Sequence, residues 1–194
     1  MEALLITLAA IAAVFAIIIV LVVIGIYNGI VGGKNRVKRA WADVIAYQMQ
    51  KMKVIPELDK GMKDYGKFEQ DTFTKVAEVR SAVAKLSGDA INPKLLEVAE
   101  RASQSLLAGL RATFEAYPDL KASELYKKWM NALEEIQQNI TAAISIFNHA
   151  VEDFNNSIMT FPSNVVNNAL NKETELTTFT DSAAQGEFEY KPFA

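Results

Sequence analysis

Residues Ala3 to Ile26 are 24 consecutive positions without a charge, and only Thr7 and Gly25 interrupt their apolar character. At about 1.5 Å of rise per residue, a helix of this length exceeds the roughly 30 Å hydrocarbon core of a bilayer. A cleaved signal peptide would need a basic start, an apolar stretch of about 7–15 residues and a small-x-small cleavage site. Here Glu2 precedes the run, the run is longer, and Ile24-Gly25-Ile26 offers no such site. A helix buried in a water-soluble core usually keeps a polar stripe, and this one has none. The stretch therefore reads as a retained transmembrane anchor over residues 1–27, with the lipid bilayer as its partner.

Flanking charge sets the expected orientation. Lys34, Arg36, Lys38 and Arg39 follow the span, whereas Glu2 lies on its other side. Lysine and arginine beside a span stay preferentially cytoplasmic. The N-terminus is expected outside and everything after Gly33 in the cytoplasm. The four cations form a membrane-proximal collar, whose contact with anionic head groups would contribute about 1 kcal/mol each. Residues 28–36 read as a glycine-rich basic hinge. Within the junction, Gly25, Gly29 and Gly33 make two overlapping small-xxx-small steps, a pattern that lets helix backbones approach closely. They are candidate self-association residues, and a hinge or frayed helix end is the competing use. Gly29 to Asn35 also approximates a phosphate-binding loop, but Asn35 stands where Ser or Thr is required and a membrane span stands where a strand is required.

Beyond Lys34 the apolar period is helical. Val37, Trp41, Val44, Gln48, Met52 and Ile55 recur at three- and four-residue spacing, with Gln48 the one polar member. Pro56 is expected to end or kink that helix. A second stretch carries Leu58, Met62, Tyr65, Phe73, Val76, Val83 and Leu86, up to the turn residues Ser87-Gly88-Asp89. Asn92-Pro93 reads as N-cap and first helical residue. Leu95, Leu96, Ala99, Ala102, Ser103, Leu106 and Leu110 continue that helix to about Ala116, before Tyr117-Pro118-Asp119 breaks it. Ser123 is the expected cap of the last helix. There Leu125, Trp129, Leu133, Ile136, Ile140, Ile144, Phe147, Val151, Phe154, Ile158 and Phe161 hold the period until Pro162. No segment alternates with period two, so no sheet is expected. The fold class is all-α: an antiparallel four-helix bundle over residues 37–165, preceded by one N-terminal transmembrane helix. Residues 166–194 form a polar acidic tail, of which 172–194 is expected to be extended or disordered unless a partner orders it.

Composition narrows function by exclusion. The chain has no cysteine and one histidine, so thiol chemistry, iron–sulfur ligation and multi-histidine metal sites are absent. A net charge of −3 argues against a dedicated nucleic-acid binder. Glu97, Glu100, Glu134 and Glu135 lack the Glu-x-x-His partner of di-metal bundle sites and read as solvated helix faces. His149 beside Glu152 and Asp153 reads as part of a charged outer face, and as a weak pH-switch candidate. Asn148, Asn155 and Asn156 keep step with Phe147 and Phe154; interhelical hydrogen bonding is the expected role, and a recognition groove the sharper alternative. No catalytic, cofactor or metal site is assigned, and the chain is expected not to be an enzyme.

The order of several residues resembles the LemA family. Tyr27-Asn28, Lys34, Val37, Ala40-Trp41, Ile55-Pro56, Lys63, Tyr65, Glu69 and Arg80 carry the likeness in the first half. Tyr117-Pro118-Asp119-Leu120-Lys121-Ala122, Phe147-Asn148, Ala150-Val151, Phe154-Asn155, Ile158 and Phe161-Pro162 carry it in the second. The resemblance covers about residues 24–165. It implies a bacterial inner-membrane protein with one span, an all-α bundle, no established enzymatic activity and membrane-associated roles, magnetosome membrane formation among them. The family tends to have an acid at Ile45, a basic pair at Gln50-Lys51, and an acid and an arginine at Gln137 and Ile144. In this divergent chain those positions imply that hydrophobic packing replaces a buried ion-pair network.

Two function classes follow. A membrane-anchored structural or scaffold protein would self-associate as a homo-oligomer or bind other membrane-associated proteins, in membrane organisation or remodelling. A small-ligand or lipid-binding sensor would instead use a cavity between the bundle helices.

Overall fold

The computed structural model describes residues 1–63, 70–86, 88, 90–116 and 124–180, with the side chains of 56–63, 70, 71, 116, 125 and 126 outside that description. Among the described residues the chain is all-helical, without a strand. Helix α1 runs from Glu2 to Lys63, α2 from Gln70 to Leu86, α3 from Pro93 to Ala116 and α4 from Glu124 to Met159. A short α5, Ser163–Val166, leads into a π-helical turn, Asn167–Asn171, and an extended segment over 172–180. The expected caps and break at Ser123 and 117–119, the side chains of Leu58, Met62, Tyr65 and Leu125, Ser87 and Asp89, and the tail after Thr180 lie outside the described residues.

Two features of α1 depart from the sequence reading. The helix passes through Pro56 and reaches Lys63, so of the expected end or kink at Pro56 the end does not occur. A proline forfeits one N–H bond and crowds the preceding turn, which disfavours a helix without forbidding it. Residues 28–36 are also helical throughout. At the other boundary the reading is borne out: Pro93 is the first residue of α3, and the Leu95 N–H donates to Asn92 Oδ1 at 3.2 Å.

The chain divides into two compact units. The first comprises Met1–Lys38 and His149–Leu176. Residues 1–22 of its α1 portion are all exposed, apolar side chains included. Further along, Ile30, Gly33 and Val37 become buried, and so do Val151, Phe154 and Ile158 of α4. Phe161 keeps the sequence period but is 82% exposed, because α4 has already ended at Met159.

The second unit comprises Arg39–Asn148 and the chain from Thr177. Most of its core follows the predicted stripes: Trp41 and Val44 on α1, Val76, Val83 and Leu86 on α2, Leu96, Leu106 and Leu110 on α3, and Trp129, Leu133, Ile136, Ile140 and Phe147 on α4; Val79 and Phe114 join it outside the prediction, and Met52, Phe73, Leu95 and Ile144 are only half-buried. Helix α2 packs against α3. The Trp41 and Phe147 rings meet with centroids 5.1 Å apart at 53°, a tilted aromatic contact.

Candidate functional site

The basic collar and the three glycines all lie on α1. Arg36, Lys38 and Arg39 are exposed. Lys34 is not free: its Nζ lies 2.6 Å from Glu173 Oε2 and 2.7 Å from Oε1. The acidic tail thus pairs with the collar within one chain. Around Gly25 and Gly29 an added Cβ would meet nothing within 4 Å. At Gly33 it would lie 3.3 Å from Phe154 Cδ2 and 3.7 Å from Ser157 Oγ. The three glycines therefore do not share one free face. Gly33 seats α1 against α4 inside the first unit, whereas Gly25 and Gly29 remain open.

The tail after α4 is not a featureless polar extension. At the end of the π-helical turn, Lys172 takes a left-handed conformation with φ 55° and reverses the chain. Glu173 is then held by Asn167: its N–H donates to Asn167 Oδ1, and Asn167 Nδ2 donates to its carbonyl, both at 3.0 Å. Leu176 is held by Asn155 in the same reciprocal way, both bonds at 2.9 Å. In the second unit Asn148 repeats the arrangement on Phe179, at 2.9 and 2.8 Å. A carboxamide offers one donor face and one acceptor face, and so satisfies both backbone groups of a single residue as a neighbouring strand would. The expectation of interhelical bonding at Asn148 and Asn155 is therefore corrected, because these amides bind backbone in the tail. Asn156 makes no such pair and stays exposed. The expected extended tail is observed over 172–180, ordered by side chains of its own chain.

A third constellation lies in the interior of the second unit, where it joins α1, α3 and α4. Lys51 Nζ lies 3.4 Å from Glu100 Oε1 and donates to Gln137 Oε1 at 2.9 Å. Gln137 Nε2 donates to Glu100 Oε2 at 2.7 Å, and Gln48 Nε2 donates to Glu100 Oε1. Lys51, Glu100 and Gln48 are buried. Burial pushes the Lys51 pKa below its ordinary value, against the opposing pull of Glu100 and its hydrogen bond. Two readings from the sequence are corrected here. Glu100 is not on a solvated face, and the buried ion pair has not given way to apolar packing. The signal was present: Gln48 sits in the apolar period of α1, and Leu96, Glu100 and Ser103 share one stripe of α3.

Of the other acids singled out by the sequence, Glu134 and Glu135 are exposed and Glu97 is half-buried. Glu134 pairs with Arg111 at 3.3 Å, both exposed, and Glu97 pairs with Arg101 one turn away. His149 is exposed, 3.8 Å from Glu152. Among the described residues no group of three or more His, Cys, Asp or Glu could hold a metal ion. A groove of about 550 Å³ runs along α3 and α4, lined by Arg111, Glu134, Gln137, Gln138 and Thr141 among others. It is an open groove whose wall is mostly apolar, not the enclosed cavity that buries most of a small ligand.

A sequence model of the LemA family matches residues 40–188. The chain belongs to the LemA family. It is also similar to "Protein LemA" of Metamycoplasma hominis, at 28% identity over 143 residues. That alignment takes in 74% of this chain and 64% of the relative, so the chain spans less than two thirds of the relative's length. The LemA match encloses the Lys51–Glu100 cluster, the three asparagines that hold the tail, and Glu173. It begins after Lys34 and after the apolar stretch. The collar and the apolar segment were therefore legible only from charge and hydropathy, whereas the interior cluster and the tail contacts lie within the LemA region itself.

Proposed function

We propose that this LemA-family chain is a membrane-anchored, non-enzymatic scaffold that associates with itself or with protein partners at the bilayer, in membrane organisation or remodelling. One observation carries the reading. The described chain contains a helix long and apolar enough to cross a membrane, and the apolar side chains of its first 22 residues are all exposed. An exposed apolar surface of that size needs lipid or protein around it.

In this reading residues 1–27 span the cytoplasmic membrane of a bacterium with the N-terminus outside. Lys34, Arg36, Lys38 and Arg39 hold the following chain on the cytoplasmic side. The four long helices form an antiparallel bundle, since short connections favour antiparallel neighbours. Gly25 and Gly29 are open and can admit the helix of a second copy.

Two measurements test the proposal. A reporter fused after Ala194 should be active as a cytoplasmic probe, and periplasmic activity would overturn the orientation. Mass measurement in mild detergent and in native lipid should give more than one copy per particle, and a monomer at every concentration would overturn self-association. If Gly29→Leu assembles as well as the native chain, assembly runs through the helical domain and not through the glycine face.

A further inference from the structure

We infer that the segment Glu173–Leu176 is an exchangeable strap, and that the site holding it on one copy also binds the same segment of a second copy. The inference rests on the self-association reading and names the contact through which it occurs.

The site lies wholly in the first unit. Lys34 on α1 binds the Glu173 carboxylate, and Asn155 on α4 binds both backbone groups of Leu176. Recognition is therefore polar: one charge at the first position and main chain at the fourth. Thr174 and Glu175 between them are exposed, and Leu176 is only half-buried. Little apolar surface commits the strap to its own chain. Half-exposed hydrogen bonds and ion pairs are individually weak.

The hinge supplies the reason to exchange. Lys172 has φ 55°, a conformation that side chains other than glycine rarely adopt. It follows a π-helical turn, a rare geometry that is frequent at functional sites. The closed turn is held by the Asn167–Glu173 pair across it. If Lys172 relaxes to an extended conformation, the strap points away from its own α4. Every bond to Lys34 and Asn155 can then be remade on a neighbour; the Asn167 latch opens, and the Asn148 bonds to Phe179 further along the chain are released with it. This is the thermodynamic pattern of a domain swap.

The anchor supplies the register. Lys34 lies eight residues beyond Ile26, about 12 Å along a helix. Copies anchored by the same apolar segment present clamp and strap at the same height above one bilayer surface. The ligand that best matches the clamp is therefore carried by each neighbouring copy, and confinement to a membrane raises its effective concentration.

The two asparagines make identical bonds but are assigned opposite roles, which gives the test its force. Full-length chains in native-lipid nanodiscs or mild detergent are co-expressed with two different tags. One copy carries Glu173→Pro and Leu176→Pro, which remove both backbone donors of the strap and leave the clamp intact. The other carries Asn155→Leu or, as a milder second form, Asn155→Asp, which impair the clamp and leave the strap intact. Far-UV circular dichroism confirms equal helicity. The mixed pair should be recovered about tenfold above either variant paired with itself. In the native background Asn167→Ala should raise the dimer fraction, because it opens the latch, and Asn155→Leu should lower it. Mixed recovery no higher than self-recovery overturns strap exchange, as does a fall in dimer with Asn167→Ala. If the native chain is still oligomeric in that case, self-association stands by another surface. If the mixed pair forms while the native chain is monomeric, strap exchange holds and native self-association fails.

Discussion

The molecule contains two Lys–Glu pairs of the same chemistry in opposite surroundings. Lys34–Glu173 has N···O 2.6 Å and side chains 37% and 26% exposed, whereas Lys51–Glu100 has N···O 3.4 Å and side chains 4% and 8% exposed. The shorter pair is not the one on which stability depends more. Near the surface water screens both charges, and such pairs contribute about 0–1 kcal/mol. In the interior, both charges have lost their hydration, and removing either leaves the other uncompensated. Gln48 and Gln137 supply the hydrogen bonds that make that burial tolerable. The buried pair thus fixes how α1, α3 and α4 meet within one unit, and the surface pair holds a segment that can be released.

The largest effect expected from this contrast is that of Glu100→Ala. It strands the Lys51 ammonium and should cost about 3–5 kcal/mol. Urea unfolding of the full chain in mild detergent, followed by the fluorescence of buried Trp41 and Trp129, measures it. The companion Lys51→Met/Glu100→Met should lose far less, because replacing both charges by apolar groups is often neutral or stabilising. Equal losses would mean that the pair acts through shape and not charge. Phe147→Ala in the same unit provides the scale for pure packing, at about 3–5 kcal/mol. A change within about 0.5 kcal/mol there would show that the helix phase is wrong.

The pH dependence sharpens the contrast further. The folded-state pKa of Lys51 lies below the ordinary 10.5. Between the two values the unfolded chain holds a proton that the folded chain has released. Unfolding then takes up a proton, so the Lys51 contribution to stability rises with pH through that window. The native chain should gain stability relative to Lys51→Met as pH climbs from neutrality towards about 10. A relative loss over that range contradicts the desolvated environment.

At the surface pair the expected effect is smallest. Glu173→Gln should speed hydrogen exchange at the Leu176 amide by at most about fivefold at low salt, and by almost nothing at high salt. A salt-independent increase well beyond that would mean the strap is held by more than a screened pair and backbone bonds.

Much of this was legible in the residues. Apolar spacing placed Trp41, Ile140 and Phe147 in the core, and the Asn92-Pro93 pair marked the start of α3, because periodicity and capping are local physics. Among the features not read correctly, three show why. Pro56 lowers helix stability, and that cost alone does not say where a helix stops. Glu100 follows the spacing of its apolar neighbours, but its charge suggested solvent, since only Gln48, Lys51 and Gln137 from other helices make its burial acceptable. The seven-residue step from Asn148 to Asn155 was visible, and so was its aromatic company. Its use was not, since the partners are backbone groups at 176 and 179, which carry no side-chain signature.

If residues 1–27 anchor the helical domain in a membrane, alkaline carbonate extraction leaves the chain in the membrane pellet and only detergent releases it, whereas a variant lacking residues 2–26 moves to the soluble fraction. Recovery of the unmodified chain in the carbonate supernatant would rule the anchor out.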